Sequence, residues 1–311
     1  MTTYVFGPVP SRRLGRSLGV DLVPFKTCTY DCTYCQLGRT SRKTTERRQW
    51  VPLDDVLGQL RLKLKSDPDY VTLSGSGEPT LYADLDRLID GIKEITQVPI
   101  AVLTNGSLLW QEDVRRQLRR ADLVMPTLAA GDERTYRTIH RPDEGIHFER
   151  MLDGLIRFRQ EFHGRYWLEV FLLGGCNDSE EHIQAVSRCV DRIGPGRVQL
   201  NTVARPPAES SAKPVPRQRL AEIALRFSPP AQIIAEFDRT HHQPSAGSDR
   251  DAILALLQRR PCTIDDIASG LGLHRNAILK HLELLRSSKE VMVSTMLSGS
   301  YYHAVASREN A

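Results

Sequence analysis

The sequence predicts an α/β fold: an open barrel of six strand–helix units, followed by a small unit of three helices and a hairpin. Three observations predict it. Short apolar runs alternate with longer segments of helical period over the first two-thirds of the 311 residues. The chemically unusual residues follow the apolar runs, as they do at the C-terminal strand ends of parallel barrels. A stretch rich in His, Pro, Gly and Ser near residue 240 then separates this region from a second pattern.

The expected strands are 18–23, 70–73, 100–104, 123–127, 167–173 and 198–202. Helical patterns lie between and after them at 53–64, 81–95, 112–119, 148–162 and 179–193, the first starting just after Pro52. Alternation of this kind specifies a mostly parallel sheet with right-handed crossovers. Residues 204–216 read as a long loop, 217–227 as a helix and 232–237 as an apolar strand-like run. These elements make up an expected domain of residues 1–238, and 239–248 form the expected linker. In 249–311 an amphipathic helix is followed by Thr263, a helix N-cap with Asp266 three residues on. A Gly270–Gly272 turn, a helix over 274–286 and two strands around Ser298–Gly299–Ser300 complete the winged helix-turn-helix order.

Lysine and arginine number 42 against 38 aspartate and glutamate, a net charge of +4. This mild excess lacks the overall basicity that by itself argues for nucleic-acid binding. Positive charge is local, in Arg39, Arg42, Lys43, Arg47 and Arg48. Such a run is either a solvated loop or a footprint for a polyanion. No apolar run reaches the length of a membrane span. Residues 1–10 lack the apolar region of an export signal, so a cytoplasmic protein with no membrane partner is expected.

Cys28, Cys32 and Cys35 stand within eight residues, Cys-Thr-Tyr-Asp-Cys-Thr-Tyr-Cys, on the loop after the first expected strand. Cys176, Cys189 and Cys262 are scattered and read as small buried apolar residues. A clustered set reads as a metal site rather than a disulfide framework. Structural zinc normally takes a fourth ligand, often from a second Cys or His pair, and none follows nearby. A cubane [4Fe–4S] cluster has four irons, so three cysteines leave one open to a substrate or cofactor. The spacing therefore favours a catalytic cluster over zinc or an inert loop.

The CxxxCxxC spacing, with Tyr34 directly before the last cysteine, resembles the motif of the radical SAM superfamily. The resemblance implies that S-adenosylmethionine (SAM) chelates the open iron. It further implies that cluster reduction cleaves the sulfonium to a 5′-deoxyadenosyl radical, which abstracts a substrate hydrogen. Residues 71–79, Val-Thr-Leu-Ser-Gly-Ser-Gly-Glu-Pro, are similar to the family's Gly-Gly-Glu segment. Gly75, Ser76 and Gly77 would let backbone carbonyls approach the SAM ammonium, and Glu78 would accept a charge-assisted hydrogen bond from it. The alternative is an ordinary glycine turn with Glu78 at a helix start. Leu103-Thr-Asn-Gly106 resembles the Thr-Asn-Gly of many relatives, which implies that Thr104 and Asn105 meet the ribose or carboxylate of SAM. In 123–142, Ala129 stands where relatives carry Asp, leaving Thr127 as the polar candidate. The likeness covers most of 3–205 and looks most like Fe–S oxidoreductases distantly related to the radical enzyme of wybutosine synthesis, which modifies guanosine in tRNA. It implies a partial (βα)6 TIM-like barrel of the radical SAM type.

Arg12 and Arg13 precede the first expected strand and either clamp a phosphate or carboxylate or brace the N-terminus. Glu169 and Asn201 lie inside the fifth and sixth expected strands, where an inward polar group needs a partner. On the helix over 274–286, His274, Arg275, Asn276, Lys280 and His281 face either nucleic acid or a protein or peptide, although Asp265, Asp266, Glu283 and Glu290 nearly balance the charge. The expected function is therefore a radical SAM enzyme reduced by a donor such as flavodoxin or ferredoxin. RNA such as tRNA is the first substrate reading. A small metabolite, or a protein or peptide docked by the winged helix, is the second. A cluster-bearing transcriptional sensor fits less well, because a sensor needs no SAM pocket. No catalytic acid or base stands out.

Overall fold

The computed structural model describes residues 2–234, 249–296 and 299–305. The expected linker 239–248 and the hairpin tip at Ser298 lie outside the described residues. The first region contains strands β1 (Val5–Ser11), β2 (Gly15–Val20), β3 (Tyr70–Leu73), β4 (Ile100–Thr104), β5 (Leu123–Leu128), β6 (Arg165–Leu172), β7 (Arg197–Thr202) and β8 (Gln232–Ile233). Its helices are α1 (Leu53–Lys63), α2 (Leu85–Ile95), α3 (Glu112–Leu118), α4 (Glu133–His140), α5 (Phe148–Glu161), α6 (Glu180–Ile193) and α7 (Arg217–Ala224).

Strands β2 to β7 pair in parallel in sequence order, and β8 adds to β7. These are the six expected units, with no closure between the edge strands among the described residues. Parallel strands carrying helices are buried on both faces, which explains the unbroken burial of Val71–Leu73 and Ile100–Val102. The covering helices bury one stripe each. In α2 this is Leu85, Leu88, Ile89 and Ile92, a spacing of three and four. Their ends are set by local chemistry. Ser179 caps α6 by accepting from the His182 backbone N–H, and Gly194 ends it in the left-handed region.

Two elements were not evident in the sequence. Strand β1 is antiparallel to β2, with a register shift between Phe6 and Val9. Gly7, Pro8 and Pro10 mask the strand period there, yet proline is tolerated on an edge strand and at a bulge. Helix α4 has few apolar residues, burying Tyr136 and Ile139, and rests on the Asp132 cap, which accepts from the Thr135 N–H at 2.8 Å.

Residues from 249 onward form α8 (Asp249–Arg259), α9 (Ile264–Leu271), α10 (Arg275–Ser287), β9 (Val291–Met296) and β10 (Gly299–Ala304), the last two antiparallel. Thr263 and Asp266 form a reciprocal capping box. Ile253, Leu256, Ile267, Ile278, Leu282 and Leu285 build a second apolar cluster, separate from that of the barrel. This unit rests on the barrel. Val9 of β1 packs into its cluster, Arg259 pairs with Asp21 at 2.9 Å, and the Tyr301 hydroxyl donates to the Ala204 carbonyl at 2.9 Å. Among the described residues no helix is long and apolar enough to cross a membrane.

Candidate cluster and cofactor site

The chain leaving β2 turns through Lys26, whose φ of 61° lies in the left-handed region, into the cysteine loop. Thr27 and Cys28 form a two-residue ladder with Arg42 and Lys43. The loop is then stitched to the end of α4. Asp31 and Thr33 donate their N–H groups to the carbonyls of His140 and Ile139 at 2.9 and 3.0 Å. Those carbonyls have no partner within the helix, so the helix end becomes a mount for the loop.

All three cysteines of the loop are free and line one cavity of about 390 Å³. Among the described residues, no group of three His, Cys, Asp or Glu is spaced for one metal ion. Each sulfur also meets an N–H-bearing group. Asn105 Nδ2 and the Tyr30 backbone N–H approach Cys28 Sγ at 3.5 Å, and Lys26 Nζ lies 3.2 Å from Cys35 Sγ. His140 Nδ1 is 3.3 Å from Cys32 Sγ. Burial, and then the nearby Glu78, push the Cys28 thiol up to about 12, and burial also raises that of Cys32. Such thiols ionise on binding a metal, whose charge replaces the lost hydration. The residues present thus fit an iron–sulfur cluster.

Tyr34 lies flat against Phe171 of β6, with ring centroids 4.0 Å apart, and its hydroxyl is 3.5 Å from His140 Nδ1. The latter imidazole is buried, and burial lowers it to about 3, so the ring is neutral. His140 was not singled out by sequence reasoning, although it immediately precedes the Arg-Pro pair of the family-like segment.

The Gly75–Ser76–Gly77 loop after β3 also lines the cavity. Gly75 has φ +115°, and a Cβ there would fall 2.1 Å from Asp21 Oδ1. A Cβ on Gly77 would fall 1.8 Å from the Thr27 carbonyl. Both glycines therefore let this loop press against the strand end that leads to Cys28. The Ser76 carbonyl accepts from the Lys26 N–H at 2.6 Å, so it is engaged by the protein. Asp21 takes both the N–H and the hydroxyl of Ser76, at 2.9 and 2.8 Å. Asp21 was not anticipated, although it is an ionisable residue inside an apolar strand run, the signal that could have found it.

Glu78 is buried beside the cavity and is not among its lining residues. It caps the turn at Pro79 and accepts from the Thr80 N–H and hydroxyl, the Thr104 hydroxyl and the Asn105 N–H, all within 3.0 Å. Burial raises its carboxyl, with these donors opposing. Thr104 is spent on Glu78, while Asn105 reaches Thr29 as well as Cys28. These three residues form a brace behind the cysteine loop, and the cavity lining does not include them.

Across the barrel, Glu169 of β6 collects a second network. It pairs with Arg13, accepts from Asn201 Nδ2 at 2.9 Å, and accepts from the Thr127 hydroxyl at 2.7 Å. Parallel register places Thr127 opposite Glu169. Burial raises the Glu169 carboxyl, but Arg13, Thr127 and Asn201 outweigh it and hold it below its ordinary range. Arg12 donates to Asn201 Oδ1 at 3.3 Å. Arg12, Arg13, Glu169 and Asn201 thus meet in one wall of the cavity, with Thr127 behind them. Arg205, Arg259 and Arg260 line it as well, and none was anticipated.

The basic segment 39–48 is largely engaged with the barrel. Arg39 pairs with Asp31 and Glu209, Lys43 donates to the Arg141 and Pro142 carbonyls, and Arg47 donates to Thr80 and Gln117. Arg48 stacks over Trp50 at 3.8 Å. Cys189 and Cys262 are buried, and Cys176 half-buried, all distant in sequence from the cluster loop.

Residues 22–189 match the model of the "Radical SAM superfamily", more than half of the chain. The chain belongs to the radical SAM superfamily. Radical SAM enzymes use a [4Fe–4S] cluster and SAM, and this chain is an enzyme of that class with those cofactors. A "UPF0026 protein" of Helicobacter pylori is 33% identical over 96% of this chain and 97% of its own length. Another, from Methanocaldococcus jannaschii, is 38% identical over 73% of this chain and 71% of its own. A Brachyspira hyodysenteriae protein named "GTPase Obg" is 38% identical over 96% of this chain, which spans only 45% of that relative. No Gly-Lys pair occurs here, so the phosphate loop of P-loop GTPases is missing from the shared part. Two solved structures share the fold. TYW1 with a lysine–pyruvate adduct bound has a TM-score of 0.55 at 19% identity, covering 73% of this chain and 76% of that one. A radical SAM methyltransferase from Sphaerobacter thermophilus has 0.54 at 17%, covering 72% and 67%.

Proposed function

We propose that Cys28, Cys32 and Cys35 hold the cluster, that the Gly75–Gly77 loop and Tyr34 face SAM, and that the substrate is a small molecule enclosed between the barrel and the C-terminal unit. When bound, the cluster and SAM supply one-electron cleavage of the sulfonium and a carbon radical that takes hydrogen from the substrate. The chain's own residues position and enclose. The Glu78, Thr104 and Asn105 brace fixes the cysteine loop from behind. Lys26, Asn105 and His140 set the surroundings of the sulfurs, and such contacts tune a cluster. Phe171 holds the Tyr34 ring flat beside it. An electron donor such as flavodoxin or ferredoxin supplies the reducing equivalent.

The observation that carries this reading is the shared cavity: the three cysteines, the glycine loop and the Glu169 wall all line it, together with Leu256, Arg259 and Arg260 of the C-terminal unit. We assign residues 249–311 to a winged helix-type domain that roofs the mouth. A roof over the reaction chamber supports a small substrate. The RNA reading has less support, because Arg39, Lys43 and Arg47 of the segment 39–48 are engaged with the barrel and Arg275 of α10 pairs with Asp265. Anaerobic reconstitution with iron and sulfide tests the core of the proposal. A reduced [4Fe–4S] EPR signal that shifts on adding SAM is the expected result. A zinc-loaded protein that takes up no cluster would refute it.

A further inference from the structure

The end of α8 meets the barrel beside the glycine loop. Arg259 Nη2 lies 2.9 Å from Asp21 Oδ2 and donates to the Thr3 carbonyl at 3.3 Å. Its guanidinium sits 5.0 Å from the centre of the Phe6 ring. Arg259 thus rests on the start of β1 and on the residue that follows β2. Asp21 also reaches the other way. Its Oδ1 accepts from the N–H and the hydroxyl of Ser76, in the middle of the glycine loop. A Cβ on Gly75 would fall 2.1 Å from the same oxygen, so glycine at that position leaves room for the carboxylate. One buried side chain therefore joins the C-terminal unit to the Gly75–Gly77 loop, with one oxygen for each.

The two contacts of Asp21 depend on one another. Burial raises its carboxyl, and Arg259 opposes this first, followed by Ser76. A carboxylate taken out of water keeps its charge only with a counter-charge and donors around it. Without Arg259 the carboxyl favours its neutral form, and its hydrogen bonds from Ser76 lose the assistance of that charge. The hold on the glycine loop then weakens. The hairpin of the C-terminal unit reaches the opposite side of the same site. Met296 of β9 and Tyr34 pack against one apolar cluster that contains Phe171 and Val203.

We infer that Asp21 is a positioning residue for the Gly75–Gly77 loop, and that through Arg259 it couples SAM binding to docking of the C-terminal unit. The inference rests on the reading that this loop faces SAM. Coupling of this kind is reciprocal. A docked C-terminal unit strengthens SAM binding, and bound SAM strengthens docking by the same factor. The C-terminal unit thereby has a place in cofactor binding without touching the cofactor.

The test uses the full-length chain with its cluster reconstituted and left oxidised, so that SAM binds without being cleaved. Calorimetry gives the SAM affinity, and hydrogen exchange gives the protection of the α8 amides. Arg259→Gln is expected to weaken SAM binding about tenfold, within the range that such couplings span. In an Asp21→Asn background the same change costs little further affinity, because the carboxylate it serves is gone. SAM slows exchange of the α8 amides in the wild-type chain and does not in Asp21→Asn. Asp21→Asn, which keeps the shape of the side chain, gives the reading if Arg259→Gln fails to fold: it weakens SAM binding and leaves iron content unchanged. Equal SAM affinity of the wild type and a folded, cluster-loaded Arg259→Gln overturns the inference. So does α8 exchange that SAM leaves unaltered in the wild type. A tenfold loss that persists in the Asp21→Asn background also overturns it, by taking the effect away from this carboxylate. All three results leave the SAM site standing. Absence of SAM binding by the loaded wild-type chain instead sinks the reading of the glycine loop, and the inference with it.

Discussion

Two walls of one cavity are built in opposite ways. The cluster wall comes from two short contiguous stretches, the cysteine loop and the glycine loop, which contacts between them and with β4 and α4 hold together. Gly77 touches Thr27, Ser76 bonds Lys26, and Asn105 braces Cys28. The arginine wall is assembled from the β1–β2 turn, the end of β7 and a helix in another unit, and its members meet only in the folded molecule. The residues that carry the chemistry common to the superfamily are therefore contiguous in sequence, whereas the arginine wall depends on tertiary structure and on the docking of α8.

Mutations in each wall separate the two. The largest effect belongs to Cys32→Ala: iron content falls and no SAM is cleaved, read as bound iron and 5′-deoxyadenosine. Gly77→Ala forces a Cβ to within 1.8 Å of a backbone carbonyl, so the strand end before Cys28 must move. Overpacking of that kind costs about 3 kcal/mol, to be read as a lower Tm together with incomplete cluster loading.

On the other wall, Arg259→Ala leaves Asp21 buried without its ion partner, although three donors of the Ser76 contact and pairing chain are reduced to two. A loss of about 3 kcal/mol is expected, with about half restored when Asp21→Asn is added, measured by chemical denaturation. If α8 did not dock on the barrel, the two changes would be additive. Glu169 has the smallest effect and a defined pH window. Its carboxyl is held below the ordinary value in the folded state, so its contribution is present above the unfolded carboxylate range near 4.5 and disappears as pH falls through the folded value. Glu169→Gln should flatten that acid limb of a Tm–pH curve and leave the neutral region's slope unchanged.

Most of the barrel and the cluster loop were legible because their determinants are local. The runs at 70–73 and 100–104 coincide with β3 and β4, since buried parallel strands read as unbroken apolar segments between turns. The cysteine spacing is likewise a local pattern. Strand β1 was hidden by its prolines, and α4 by having only two large buried apolar residues in eight. For Glu78 and Thr104, motif likeness implied a place beside the cofactor, and the structure adds that the Thr104 hydroxyl donates to Glu78, a contact between distant segments that the sequence does not show. Arg205 was not anticipated either, although it stands just after a strand end, where unusual residues collect. Arg259 and Arg260 were not, because a basic helix C-terminus ordinarily faces water.

The central claim is that three sulfurs on this loop hold a cluster with one iron left for SAM. The most direct measurement is chromatography of the anaerobically reconstituted protein after addition of dithionite and SAM. The account predicts 5′-deoxyadenosine formed by the wild-type chain and none by Cys32→Ala. Intact SAM in the presence of a fully loaded, reduced cluster would contradict it.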